Sequence, residues 1–213
     1  MLTVEIWSDI VCPFCYIGKR HFEQARKQFP YPVEVKWRSF ELQKDAPQKQ
    51  EQDLATRLSQ KYGKSLEWAK AMNQQVTEKA AHVGVTFHLD KVIPTNSFDG
   101  HRLIHLAQTF GLQDEAKERL LAAYFTEGKD ISDHPTLVDL GREIGLEVED
   151  VQAMLESDRY GAEVRADEQL ASEIEISGVP FFVIDQRYAI SGAQPVEVFI
   201  ETLHKVWAEE HQK

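Results

Sequence analysis

Cys12 and Cys15 are the two cysteines of this 213-residue chain, and they stand together as Cys12-Pro13-Phe14-Cys15. A C-x-x-C pair placed where a strand gives way to a helix has the spacing of a dithiol redox site. With Cys12 as N-cap, Pro13 falls at the first helical position, where its missing N–H costs nothing and its φ is already helical. The free N–H groups of Phe14 and Cys15 would then point back toward the Cys12 sulfur, as they do toward a Ser or Asp cap. The positive end of the helix dipole adds to the preference for a thiolate. Cysteines at helix starts fall from about 8.5 to between roughly 3.5 and 7.5. Cys12 is therefore expected to be the ionised nucleophile, and Cys15, one turn deeper, the resolving thiol.

Other uses of the pair are weaker. A structural disulfide closing so short a loop would contribute about 2 kcal/mol, against about 3 for a fifteen-residue loop. A four-ligand zinc site needs two further ligands, and no second cysteine pair exists to supply them. His101 and His105 share the i,i+4 spacing of a metal-binding helix face. With no zincin-like carboxylate beside them, they read as ordinary helix surface or pocket wall. Asp9, one turn before the cysteines, reads as a polar turn residue in preference to a proton acceptor.

The composition restricts partners. A net charge of −11 argues against phosphate-backbone binding, which needs clustered Lys and Arg, so nucleic acid is not an expected partner. No run approaches the 18 or so apolar residues of a membrane span. Glu5 and Asp9 interrupt the first apolar stretch, and the basic pair Lys19-Arg20 follows it, unlike a secretory signal. A cytoplasmic location is expected, and in a reducing compartment a lone C-x-x-C is catalytic more often than structural. With 42% hydrophobic residues and 28% charged, the chain can form a sizeable core under a hydrated surface. The pattern carries no signal for oligomeric state.

The elements that would position the cysteines are legible on either side of them. Residues 2–8 alternate as a strand, 13–29 have helical spacing up to Phe29-Pro30-Tyr31-Pro32, and 33–40 alternate again. Together they make a βαβ unit. Helical stripes then run for over a hundred residues, through Leu54, Leu58 and Tyr62 to Val148, Val151 and Leu155, with Gly111, Gly128 and Gly145 where helices would end. Strand signals return at Pro180-Phe181-Phe182-Val183-Ile184. A turn at Asp185-Gln186-Arg187, a strand at Tyr188-Ala189-Ile190, and a last helix opened by Pro195 follow. The expected fold is α/β: residues 1–46 and 162–213 form one domain, and 47–161 an all-helical insertion.

That order, βαβ then helices then ββα with C-x-x-C at the first helix, resembles the thioredoxin-like fold in its DsbA-like branch. The closest likeness is to the cytoplasmic FrnE-type oxidoreductases of the DsbA family. Three stretches carry it: Ser8-Asp9-Ile10-Val11-Cys12-Pro13-Phe14-Cys15-Tyr16-Ile17-Gly18-Lys19; Pro94-Thr95-Asn96-Ser97-Phe98-Asp99-Gly100-His101-Arg102-Leu103; and Ser177-Gly178-Val179-Pro180-Phe181-Phe182-Val183-Ile184, followed by Ile190-Ser191-Gly192-Ala193-Gln194-Pro195. Phe14 departs from the Trp that many relatives carry, at a position that tunes redox potential. The resemblance implies that Pro180 is a cis-proline facing the cysteines, although cis forms make up only about 5–6% of X-Pro bonds. It leaves the Val179 backbone free to pair with an extended substrate.

The resemblance further implies a thiol–disulfide oxidoreductase that exchanges disulfides with protein or small thiol substrates through a Cys12 mixed disulfide. The redox group would be the Cys12–Cys15 disulfide itself, with no bound cofactor and with glutathione as a conceivable co-substrate. Pro13, Phe14, Val179, Pro180, Asn96 and Phe98 would line the substrate cleft. For Asn96 a helix N-cap and for Phe98 a core aromatic are the competing roles. The alternative enzyme is a glutathione-dependent isomerase or transferase of the kappa type, such as 2-hydroxychromene-2-carboxylate isomerase. Those enzymes usually carry serine at the Cys12 position and lack the second cysteine. A binding module without catalysis is the third reading.

Overall fold

A computed structural model describes residues 1–48, 50 and 52–211. Lys49, Glu51, Gln212 and Lys213, which the expected domain ranges take in, lie outside the described residues. Strands β1 (Leu2–Ser8), β2 (Val33–Ser39), β3 (Phe181–Ile184) and β4 (Tyr188–Ser191) form one sheet in the order β2-β1-β3-β4. β1 and β2 are parallel, joined through helix α1 (Pro13–Gln28), while β1–β3 and β3–β4 are antiparallel. β1 is paired along both edges, and both its faces are covered. Leu2, Val4 and Ile6 are fully buried on one side and Trp7 is buried on the other. The β3–β4 turn uses left-handed backbone at Asp185 and Gln186, the conformation that the tightest hairpin turn requires.

The last helix, α9 (Val196–His211), lies beside α1 over one face of the sheet. Phe22, Phe182 and Phe199 meet there with ring centroids 4.7–5.8 Å apart and fix α1 against β3. Between β2 and β3 run α2 (Leu54–Tyr62), α3 (Leu66–His82), α4 (Phe98–Gln108), α5 (Gln113–Phe125), α6 (His134–Glu143), α7 (Val148–Leu155) and α8 (Gly161–Glu173). The DsbA-like thioredoxin fold expected from the sequence is present.

Several contacts bind these helices to the sheet. The Gln113 amide bonds both the N–H and the C=O of Trp37, each at 3.0 Å. It thus satisfies the edge of β2 as a neighbouring strand would. α8 packs against both β2 and α4. This helix has no counterpart in the sequence reading, because two of its four buried residues are Asp167 and Glu168. Its buried face is partly ionic and carries no apolar stripe.

Candidate active site

Cys12 occupies the N-cap of α1 with extended backbone (φ −96°, ψ 113°), and Pro13 stands in the first turn as expected. The expected cap bonds to the Cys12 sulfur are not made. Instead Cys12 Sγ faces the carbonyl oxygen of Val179 at 3.6 Å, and the Cys15 N–H bonds the Cys12 carbonyl at 3.0 Å. Both cysteines are buried; Cys12 retains 5% exposure and Cys15 1%. Phe14 between them is exposed, with the Lys79 ammonium of α3 5.9 Å from its ring centre.

The two thiols are hydrogen-bonded to each other and titrate as a pair. The hydrogen bond between the two sulfurs, burial and the neighbouring Cys15 charge push the Cys12 thiol well above its ordinary value. Burial also works against a Cys15 thiolate. It is outweighed by the hydrogen bond from Cys12, the charge of Lys117 and the Ser8 hydroxyl, and Cys15 lies below its ordinary value. Two thiols sharing one proton ionise as a unit.

Opposite Cys12 the Val179–Pro180 bond is cis, as the resemblance implied. Gly192 N donates to the Pro180 carbonyl at 2.8 Å and anchors this loop to the end of β4. The Val179 amide has no partner among the described residues. α1 approaches so closely that a Cβ on Gly18 would lie 2.8 Å from Pro180 Cγ. Pro13, Phe14, Val179 and Pro180 are thus gathered around Cys12.

Asn96 and Phe98 are engaged elsewhere. Asn96 donates to the Ala46 carbonyl at 2.9 Å and accepts from Phe98 N at 2.8 Å, so one end of its amide starts α4 and the other ties that start to the loop after β2. Phe98 is half-buried, with the Arg165 guanidinium 4.5 Å from its ring centre and Gly161 beside it.

The sequence reading missed the polar layer beneath the cysteines. Asp9 does make the turn, accepting from Val11 N at 3.3 Å and Leu42 N at 2.7 Å, but it is fully buried and also meets His101 Nε2 at 3.3 Å. Burial opposes both charges. The bonds to His101 and Leu42 N still hold the Asp9 carboxyl below its usual value, while burial carries His101 below its own. The pair is therefore carboxylate and neutral imidazole, with Nε2–H donating. His105, one turn on, meets Ser39 Oγ and Asp167 Oδ2, each at 3.1 Å. Both histidines are buried, not surface, and each faces a different carboxylate. Among the described residues no His, Cys, Asp or Glu cluster could hold a metal ion. The i,i+4 spacing was the available signal, and it marks a docking face.

Lys117 of α5 is 1% exposed, and its Nζ donates to the Ser8 carbonyl at 3.1 Å. Among the described residues no helix is long and apolar enough to cross a membrane.

A family model for the DsbA-like thioredoxin domain matches residues 3–204. The chain belongs to that family. A probable DsbA oxidoreductase of Streptomyces coelicolor superposes with a TM-score of 0.94 at 40% identity, over 98% of this chain and 91% of that one. An uncharacterized Bacillus subtilis protein, YwbO, is 32% identical over 92% of each chain. A 2-hydroxychromene-2-carboxylate isomerase has a TM-score of 0.67 at 13% identity, over 99% of this chain and 98% of that one. The DsbA-like fold therefore hosts more than one chemistry. This chain carries its Cys12–Cys15 pair at the start of the first helix.

Proposed function

We propose that the protein is a FrnE-type thiol–disulfide oxidoreductase, working in the cytoplasm on protein or small-molecule thiols and disulfides. One observation carries the reading. The more accessible sulfur, Cys12, faces the backbone ahead of a cis-proline, and the shielded sulfur, Cys15, is hydrogen-bonded behind it.

Cys12, as the thiolate, attacks a substrate disulfide, and Cys15 later resolves the mixed disulfide. The reverse sequence reduces the Cys12–Cys15 disulfide. Pro13, Phe14, Val179 and Pro180 would form the rim, with the free Val179 amide available to an extended substrate. Glutathione would serve as a co-substrate. Both cysteines of the chain belong to the site, so the fold is held without a structural disulfide, which suits a reducing compartment. Both sulfurs being present favours disulfide exchange over the kappa-type isomerase reaction.

The test is equilibration with reduced and oxidised glutathione, followed by mass spectrometry. The wild-type protein should interconvert between dithiol and disulfide. Cys15→Ser should accumulate one glutathione on Cys12, and Cys12→Ser should neither exchange nor accumulate adduct at a comparable rate. Adduct formation in Cys12→Ser equal to that in Cys15→Ser would sink the assignment of roles.

A further inference from the structure

Helix α1 carries Cys12 at its start, and a polar contact further along it reaches the far side of the site. His21 Nδ1 lies 2.8 Å from the Gln194 carbonyl oxygen. A carbonyl can only accept, so Nδ1 carries the hydrogen, and the bond is kept whether or not Nε2 is protonated. Among the described residues it is the one hydrogen bond from an α1 side chain to residues 181–211.

Gln194 belongs to the turn between β4 and α9, and that turn is closed on itself. Gln194 N donates to the Gly192 carbonyl at 2.9 Å, and Gln194 Nε2 donates to the Ser191 carbonyl at 2.8 Å. Gly192 takes left-handed backbone at φ +80°, which glycine adopts without strain. Its N–H is aimed at the Pro180 carbonyl, 2.8 Å away. Gly18, one turn before His21, makes room for Ala193 of the same turn as well as for the Pro180 ring.

These contacts form a closed circuit. α1 reaches the turn through His21, the turn reaches Pro180 through Gly192, and Val179 ahead of Pro180 returns to Cys12, its carbonyl 3.6 Å from Sγ. Phe22, Phe182 and Phe199 hold α1 against the sheet, but apolar burial is non-directional. A hydrogen bond to a carbonyl is directional, so His21 fixes where along the helix the turn sits.

We infer that His21 is a positioning residue for disulfide exchange, holding the turn after β4 against α1 and so keeping the Val179–Pro180 backbone in place opposite Cys12 while a substrate is bound there. This inference rests on the oxidoreductase reading. His21 takes no part in the electron or proton transfers. A substrate joined to Cys12 and paired with the Val179 amide pulls on the cis-proline segment. That segment hangs from Gly192, and the turn resists the pull through His21. The side chain is half-buried at the surface, so its replacement leaves neither a core cavity nor a deeply buried unpaired group, and global stability should change little.

The test compares two rates on the reduced protein. Alkylation of Cys12 by iodoacetamide engages no backbone at Val179, whereas oxidised glutathione brings peptide bonds that can pair with it. His21→Leu removes the donor, and His21→Ala serves the same purpose should leucine disturb the fold. His21→Asn places an amide N–H where Nδ1–H stands. Removing the donor should leave the alkylation rate and its pH dependence unchanged. A displacement of about 1 Å can cost a hundredfold in rate, so a shift of a few tenths should slow the reaction with oxidised glutathione about fivefold. His21→Asn should restore most of that loss, and the urea midpoints of all the proteins should agree. An unchanged glutathione rate in His21→Leu, or alkylation falling in parallel with exchange, would reject the inference. So would exchange in His21→Asn no faster than in His21→Leu. Failure of the wild-type protein to exchange with glutathione at all would instead remove the oxidoreductase reading beneath it.

Discussion

Gly18 lacks a side chain because the ring of Pro180 occupies the place where a Cβ would stand, at 2.8 Å, with Ala193 behind it at 3.5 Å. Two effects oppose each other in Gly18→Ala. Alanine favours a helix by about 1 kcal/mol, whereas overpacking a tight contact costs about 1–3 kcal/mol. The net loss of stability should therefore be small, about 0–2 kcal/mol. The larger effect is positional, because Pro180 must yield and carries Val179 away from Cys12. Displacements of about 1 Å can cost a hundredfold in rate, so a shift of a few tenths should slow disulfide exchange about tenfold. Urea unfolding and the rate of reaction with oxidised glutathione measure the two effects separately. An unaltered exchange rate would mean the close approach of α1 to Pro180 has no part in the chemistry. At this scale the sequence was informative where spacing encodes chemistry. The cysteine pair and Pro180 stand out by residue type, whereas Gly18 looks like any helical glycine until the opposing ring is known.

Among the elements, α4 and α8 show why part of the site was hidden. The strands, α1 and α9 announce themselves by alternation, caps and apolar faces. α4 instead turns His101 and His105 inward toward Asp9 and Asp167, and α8 buries Asp167, which finds its partners on β2 and α4. Those partners are distant in sequence, so no local pattern reveals that these polar residues are interior. The same burial sets a pH dependence. His101 is held below its ordinary value by burial, so between that depressed value and about 6.5 the unfolded chain binds more protons than the folded one. Its contribution to stability is complete above about 6.5 and is lost as pH falls, by at most about 1.4 kcal/mol per unit. Glu41, raised by burial to about 7, works in the opposite sense, so the comparison must be made against a variant that keeps Glu41. His101→Asn can still donate to Asp9 but does not titrate. It should be less stable at pH 7 by about 1–3 kcal/mol, and the gap between the two melting temperatures should narrow at pH 5. A gap of constant width would show that His101 is not neutral in the folded protein.

At the scale of the molecule, one residue joins four elements. Asp167 on α8 accepts from Arg38 Nη1 at 2.9 Å and Ser39 N at 2.8 Å on β2, and meets His105 of α4 at 3.1 Å. Its own carbonyl accepts from Trp7 Nε1 of β1 at 3.0 Å. Arg38 passes the connection on to Glu5 of β1. Strands β1 and β2, helix α4 with His101, and α8 therefore share this hub, and they should unfold as one unit. Burial opposes the Asp167 charge, but His105, Ser39 N and Arg38 outweigh it and hold the carboxyl below its usual value. Its contribution is thus present above about 3.9 and lost as pH falls through the lower folded value. Asp167→Asn keeps the shape and removes the charge, leaving Arg38 without one of its two carboxylates. Removing one member of a buried pair costs about 3–5 kcal/mol. With the amide retaining some hydrogen bonding, about 3 is expected. For a chain of this length that corresponds to a melting temperature lower by about 6–12 °C. Calorimetry at neutral pH should show one transition in the wild-type protein and a lower one in the variant, with the difference shrinking near pH 3. Two separate wild-type transitions, or a deficit independent of pH, would mean that the helices and the sheet are held together by their apolar contacts and not through the Asp167 charge.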